Sequence, residues 1–333
     1  MRRVYVLGSG FSKEINSEMP VLADLTPHVE AMIASAPAPP RLGPADFGND
    51  VERWLSHLAS PPPWISPAES LRDRATFLDA SKMLAEVIEA AQIKALIIQP
   101  PDWLTTLVKY WRRLEETVIT FNYDVLVERA YTHTCTTEGD DTRFATDLYA
   151  IPLAPLATRG SSITVGGRTQ SFKLLKLHGS TNWYYSGPGA GLSDTIYDSG
   201  LYEQHWPASG NDLVDPDVDE LTADKTPLLI PPVAVKTAFY ENSALRVQWQ
   251  AAARAISEAD EVVLMGFSVP TTDLLVRELI ATNLPKNAEV VVVNKDVDLP
   301  DNLASVLDIE RPRVVDDFCC TNALPNWVGF CAS

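Results

Sequence analysis

The chain has 333 residues, 46% of them hydrophobic, and a formal net charge of -17. That apolar content builds a sizeable core and excludes a disordered protein. The acidic balance repels phosphate backbones at long range, which argues against nucleic acid as a partner but leaves room for a nucleotide in a local backbone cradle.

The four cysteines, Cys135, Cys319, Cys320 and Cys331, form no CxxC pair and two are adjacent. That spacing suits neither a zinc site nor a disulfide framework, so a reduced, metal-free protein is expected. The apolar run Val4 to Leu7 is too short for the core of a signal peptide, and no run approaches the roughly 18 residues of a membrane span. The expected location is the cytoplasm, away from membranes.

Val4 to Leu7 reads as a buried strand, closed by Gly8-Ser-Gly10, with a helix starting at Ser12. Residues 22–115 hold no convincing strand and are broken by ASAPAPPRLGP (34–44) and Pro61-Pro-Pro63. Leu71, Ala75, Leu78, Leu84, Val87 and Ile88 recur at helical spacing between residues 70 and 98, and Asp102 looks like the cap of the next helix. The region reads as a helical insertion. Thr117 to Thr120 is β-branched and makes a second strand, and Val125 to Ala130 looks helical. Residues 131–171 are loop-rich, with a turn at Gly166-Gly167, and strand signals return at 172–177. Residues 184–226 are rich in Gly, Asp, Ser and Pro. Within them Asp212, Asp215, Asp217, Asp219 and Glu220 lack EF-hand spacing and read as a solvated loop.

The last third is regular: strand 228–230, helix 241–258, strand 261–265, helix 272–281 and strand 289–293. Near-continuous apolar strands alternating with helices imply a Rossmann-like parallel α/β sheet with helices on both faces. The expected organisation is one domain over 1–333. Its Rossmann core comprises 1–21, 116–130, 172–183 and 227–318, with a helical insertion at 22–115 and loop-rich insertions at 131–171 and 184–226.

In such a sheet ligands bind beyond the carboxyl ends of the strands. Those ends are Gly8-Ser-Gly-Phe-Ser12, Asn122-Tyr-Asp124, His178-Gly-Ser180, Gly266-Phe-Ser268 and Asn294-Lys-Asp296. Each has an ordinary reading. The first is a tight turn as readily as a phosphate cradle, and Lys13 breaks the GxGxxG spacing. Asn122 and Asp124 suit helix caps, His178 a strand terminator, and Gly266 to Ser268 and Asn294 a turn and a cap. Single readings do not explain why five ends share glycine, hydroxyl, amide and imidazole chemistry.

These ends, in this order, resemble the sirtuins, and especially the bacterial sirtuin-like NAD hydrolases of antiphage defence. Gly8-Ser-Gly-Phe-Ser12 is similar to the Gly-Ala-Gly-x-Ser motif. Thr120-Phe-Asn-Tyr-Asp124 is similar to Thr-x-Asn-x-Asp, and Lys176-Leu-His-Gly-Ser180 to the histidine-glycine motif. Gly266-Phe-Ser268 resembles the late Gly-x-Ser motif, followed by a strand ending at Asn294. The resemblance covers about half of the chain. Two departures stand out. The paired CxxC zinc ribbon of the deacylating members is missing, since no cysteine lies between Cys135 and Cys319. Met19-Pro-Val-Leu22 stands roughly where the family has Phe-Arg-Gly.

The resemblance implies a sirtuin-like fold without a zinc ribbon and NAD as substrate. Gly8, Ser9, Gly10, Phe11, Ser12, Asp124, Gly266, Phe267, Ser268 and Asn294 would bind it, and Asn122 and His178 would be catalytic. It further implies an NAD+ glycohydrolase that makes nicotinamide and ADP-ribose and depletes NAD+ during phage infection, restrained by homo-oligomerisation or a separately encoded partner. The alternatives are an NAD-dependent protein deacylase or ADP-ribosyltransferase, a non-catalytic NAD or ADP-ribose sensor, and a reductase with an ordinary Rossmann fold.

Overall fold

The computed structural model describes residues 1–140, 143–156, 170–187, 191, 194–200, 206–207, 221–234, 240, 242–270, 272–308 and 313–332. In chain order the elements begin β1 (Arg3–Leu7), α1 (Ser9–Ile15), α2 (Thr26–Ser35), α3 (Val51–Ala59), α4 (Pro67–Leu96) and α5 (Asp102–Leu114). Next come β2 (Thr117–Thr120), α6 (Leu126–Thr137), β3 (Ala154–Pro155), β4 (Lys173–Lys176), β5 (Gly179–Tyr185), β6 (Tyr197–Asp198) and β7 (Thr226–Leu229). The chain continues through α7 (Ser243–Ser257), β8 (Glu261–Met265), α8 (Leu274–Asn283), β9 (Glu289–Asn294), α9 (Leu299–Val306), β10 (Val314–Cys319) and α10 (Ala323–Ala332).

A six-stranded sheet in the order β10-β9-β8-β1-β2-β4 forms the centre, and every pair in it is parallel. Successive side chains of a strand point to opposite faces, and here both faces are apolar. Tyr5, Leu7, Val118, Leu174 and Val263 face α5, α6 and α10, through Leu107, Trp111, Tyr131 and Trp327. Val4, Val6, Ile119, Leu175 and Val262 face α7, α8 and α9, through Ile256, Ile280 and Leu303. This is the expected Rossmann-like sheet with helices on both faces. The first half of the chain builds outward from β1 through β2 to β4; the second builds the other way through β8 to β10. Strand order therefore reverses between β1 and β8, which in doubly wound sheets opens a crevice beyond the strand ends.

Three sequence expectations differ from the structure. The strand foreseen at 228–230 is β7, and it does not join the parallel sheet. It pairs antiparallel with β5 at the edge of a small sheet ordered β3-β6-β5-β7. Pro227 explains the edge position, because it has no N–H to give a second neighbour. Asp102 is the first helical residue of α5 and makes no side-chain cap; Pro101 stands at the cap instead. Helix α1 starts at Ser9, not Ser12. The Gly166-Gly167 turn and the acidic stretch 212–220 lie outside the described residues.

Residues 22–115 are helical as expected. Helix α4 opens with a capping box: Ser66 Oγ accepts from the Glu69 N–H, and Glu69 Oε2 accepts from the Ser66 N–H at 2.9 Å, with Pro67 in the first turn. Val29, Trp54, Leu55, Leu58, Ala80 and Leu84 bury one another in a separate cluster, joined by Val233.

At the sheet's other end, Arg3 Nε donates to Glu261 Oε1 at 2.8 Å and Nη1 to the Tyr110 hydroxyl at 2.7 Å. Glu116 is a second buried carboxylate, 9% exposed, beside this pair. Burial pushes the Glu116 carboxyl up to about 7; Arg3 opposes the shift and Glu261 adds to it. The folded state therefore holds this proton more tightly than the unfolded state. The stability it contributes is complete below the ordinary carboxylate range and is lost as pH rises toward 7. Glu116→Gln should leave stability near pH 4.5 little changed and raise it at pH 8 by about 1–3 kcal/mol over wild type. Urea unfolding across that pH range checks this, and parallel curves for the two proteins would refute it.

Candidate functional site

The turns after β1 and β8 cross at backbone contact. Gly10 N–H donates to Gly266 O at 3.0 Å, and Gly266 N–H donates to Val293 O at 3.0 Å. Gly266 has φ +56, and a Cβ there would fall 2.1 Å from the Phe11 nitrogen. A side chain at either crossing glycine would push the strands apart, so these glycines serve close approach.

That crossing corrects part of the expected phosphate cradle. Gly8 N–H is spent on Met265 O at 3.1 Å and Phe11 N–H on Gly8 O at 2.9 Å, beside the Gly10 bond. The Phe11 ring is 1% exposed and sits among core aromatics, 5.5 Å from Trp103 and 6.3 Å from Trp111. Gly10 and Phe11 build the turn and do not line the crevice. Asn294 is also elsewhere: its Oδ1 accepts from Asp296 N–H at 3.2 Å and its carbonyl from Cys320 N–H at 3.0 Å, so it orders the chain between β9 and β10.

The remaining expected residues converge. Gly8, Ser9, Ser12, Asn122, Asp124, His178, Gly266, Phe267 and Ser268 line one cleft at the reversal point. Met19 and, from the helical insertion, Leu22, Leu84 and Ile88 line it too. Glu52, Tyr123 and Asp273 also line it and were not foreseen. Glu52 and Asp273 sit on helices outside the strand-end register, and Tyr123 looked like a spacer between two polar residues.

Asn122 is held by its amide nitrogen, which donates to Gly8 O and to Ser12 Oγ, both at 2.8 Å. Gly8 O can only accept, so the group facing it must be the NH₂. The Asn122 carbonyl oxygen takes no part in these two bonds, and Asn122 lines the cleft. Ser12 Oγ passes its own proton to Asp124 Oδ2 at 2.6 Å, and Asp124 Oδ1 accepts from Leu126 N–H at 3.2 Å. Asp124 thus ties the first turn of α6 to Ser12, and through Ser12 to Asn122, while Val125 stands at the helix cap.

Residues 121–125 have no regular secondary structure, so distant partners hold their backbone. Lys176 is fully buried, and its Nζ donates to Asp124 O at 2.5 Å and to Glu128 Oε1 at 2.8 Å, with Tyr123 O at 3.5 Å. Tyr149 hydroxyl also donates to Glu128 Oε1, at 2.9 Å. Val125 N–H donates to Gln92 Oε1 at 2.8 Å, and Tyr123 O accepts from Thr181 N–H at 2.9 Å. Sequence reading missed Lys176. Its signal is a lysine that closes a short strand between Leu175 and Leu177, a place where a buried cation needs a carboxylate partner.

His178 stands between β4 and β5 and is 6% exposed. Ile230 N–H donates to its carbonyl at 2.9 Å. Gly179, at φ +85, makes the turn next to it, where a Cβ would lie 1.9 Å from Leu228 O. The imidazole packs 5.0 Å from the Phe121 ring, and its Nε2 lies 3.6 Å from Asp273 Oδ2. Burial, with Glu52 and Asp273 nearby, pushes the Tyr123 phenol well above its usual range, so it stays neutral. Among the described residues no group of three or more His, Cys, Asp or Glu side chains is gathered for a metal, and no helix is long and apolar enough to cross a membrane.

No family model and no curated protein matches the sequence. Among solved structures, a Sir2 homologue in complex with NAD is 14% identical, with 99% of this chain and 89% of that chain covered and a TM-score of 0.47. A Sir2 structure solved for mechanism and regulation is 13% identical, covering 99% and 92%, with a TM-score of 0.45. A Sir2 complex with a peptide and NAD+ is 15% identical, covering 99% and 91%, with a TM-score of 0.42. At these identities and scores the likeness concerns chain outline and not chemistry.

Removing one partner of a buried ion pair leaves the other charge uncompensated, which costs about 3–5 kcal/mol. Lys176→Met should therefore lower unfolding free energy by about that amount, and adding Glu128→Leu should recover much of it. Urea denaturation of the single and double variants decides this. Additive losses would show that the pair does not organise residues 121–125.

Proposed function

We propose that the cleft binds NAD+ and hydrolyses its nicotinamide–ribose bond, releasing nicotinamide and ADP-ribose. The observation that carries this reading is Asn122: an amide locked by its NH₂, its carbonyl oxygen outside those bonds, in the cleft that His178 also lines. Such an acceptor orients a ribose hydroxyl or a water without introducing charge. The motif resemblance supports the same assignment, as does the position of the cleft at the strand-order reversal.

The chemistry asks little acid of the protein. The departing ring nitrogen is cationic, so the electron pair of the breaking bond neutralises it and no general acid is needed. The ribose carbon passes through an oxocarbenium-like state, as in other glycoside cleavages. A water held by Asn122 adds to that carbon and its proton goes to His178, the side chain suited to general-base work near neutral pH. Ser9 and Ser268, which line the cleft beside the two crossing turns, would meet the phosphates. The stacked Phe121 and Phe267 rings, 5.0 Å apart, supply apolar wall.

An enzyme that consumes the cytoplasmic NAD+ pool needs restraint in its own cell. We read the chain as an NAD-depleting effector of antiphage defence, held in check by self-assembly or a separate regulatory protein. Purified protein incubated with NAD+, with and without candidate partners, should release nicotinamide. Asn122→Ala and His178→Ala should each lower the rate roughly 10²- to 10⁴-fold in protein that still folds. Turnover only when an acyl-lysine peptide is present would replace hydrolysis by deacylation. Tight NAD+ binding without turnover in every assembly state would leave a sensor.

A further inference from the structure

Asp273 does more than its place at the start of α8 requires. Its Oδ1 accepts from Val276 N–H at 3.4 Å and caps the helix. Capping uses one oxygen, and serine or asparagine serves as well as aspartate. The second oxygen, Oδ2, faces His178 Nε2 at 3.6 Å, with both side chains 8% exposed. That separation is too long for a strong hydrogen bond and well inside the range where one charge biases its neighbour's protonation.

We infer that Asp273 is a positioning residue for His178, holding the imidazole by its Nε2 side and stabilising the imidazolium formed when His178 takes the proton of the attacking water. This rests on the hydrolytic reading above. The proton leaves the water oxygen as the new carbon–oxygen bond forms and stays on the imidazole. A carboxylate divides labour with histidine in this way in serine hydrolases.

Asp273 brings a carboxylate against the imidazole, among the following neighbours. Phe121 and Trp249 present apolar rings, at 5.0 and 6.5 Å. The Tyr123 ring is 6.4 Å away, and its phenol is kept neutral by burial. The Tyr240 phenol, whose ring meets Trp249 edge-to-face, is also pushed up by burial, with Asp273 and Tyr123 adding to the shift. Glu52 of α3 accepts from Thr272 Oγ1 at 2.5 Å, beside Asp273. Lys176 of β4 is engaged by Glu128. Asp124, which also lines the cleft, is engaged by Ser12.

The test uses the full chain with histidine-selective labelling, the His178 resonance being assigned by its loss in His178→Gln. Asp273→Asn and Asp273→Ser both keep a capping oxygen and remove the charge. In each, the His178 titration midpoint should fall by about one pH unit. The acid limb of kcat/KM for NAD+ should move the same way, with kcat falling more than KM changes. An unchanged midpoint in these folded variants overturns the inference. A shifted midpoint in a protein that releases no nicotinamide supports the Asp273–His178 pairing and overturns the hydrolytic reading instead.

Discussion

The geometry of the cleft depends on one buried ammonium. Lys176 lies on β4, and its Nζ reaches sideways under the loop that follows β2, where it holds the carbonyl of Asp124 and the carboxylate of Glu128. Without that cation, the Asp124 carbonyl and the Glu128 carboxylate would lose the donor they share in a low-dielectric interior. The pair contributes little net stability, because desolvating both charges offsets most of their attraction. What it contributes is a single arrangement of the loop. Asn122 therefore has a fixed backbone below it and a fixed amide above it, through Gly8 and Ser12.

The strand that carries Lys176 also places His178. After Lys176 the chain leaves the parallel sheet, and at Gly179 it enters the small mixed one. Leu177 and His178 bridge the two. β4 is the edge of the large sheet, and α7 covers its exposed groups: Gln248 Oε1 accepts from Lys176 N–H at 3.0 Å, and Trp249 Nε1 donates to Leu177 O at 3.3 Å. A residue pinned by a sheet on each side and a helix over the edge has little freedom to move. That is a better position for a general base than a mobile loop tip.

The parallel sheet was legible because its strands are buried on both faces and read as unbroken apolar runs, and the strand-end rule then pointed to Asn122, His178, Gly266 and Ser268. Three features were not legible, each for its own reason. Gly10 and Asn294 occupy strand ends like the others, and only the crossing of the β1 and β8 turns shows that one is a spacer and the other a local cap. β7 looks like a core strand, since LLI carries no mark of the sheet it joins; the preceding proline was the available clue. Glu52, Asp273 and Gln92 reach the site from outside any motif, with partners far along the chain, so no local spacing announces them.

The helical lining of the cleft is carried by the same scaffold as its strand ends. Helix α4 is 30 residues long, about 45 Å at 1.5 Å per residue. Its Ala80 and Leu84 belong to the helical layer, and its Ala91, Ala95 and Leu96 to the core beneath the sheet. Between them Gln92 is fully buried, and its Oε1 accepts from both Val125 N–H and Thr181 Oγ1, at 2.8 and 3.0 Å. The helix that lines the cleft is thus hydrogen-bonded to the Asn122 loop and to the strand after His178. Moving the helix outward would pull Ala91 to Leu96 from the core and strip two donors of their acceptor. Each lost bond at a buried site costs about 1–3 kcal/mol, on top of the exposed apolar surface. The cleft is consequently formed before a ligand enters, and adjustment is left to the side chains and to the short segments that face it.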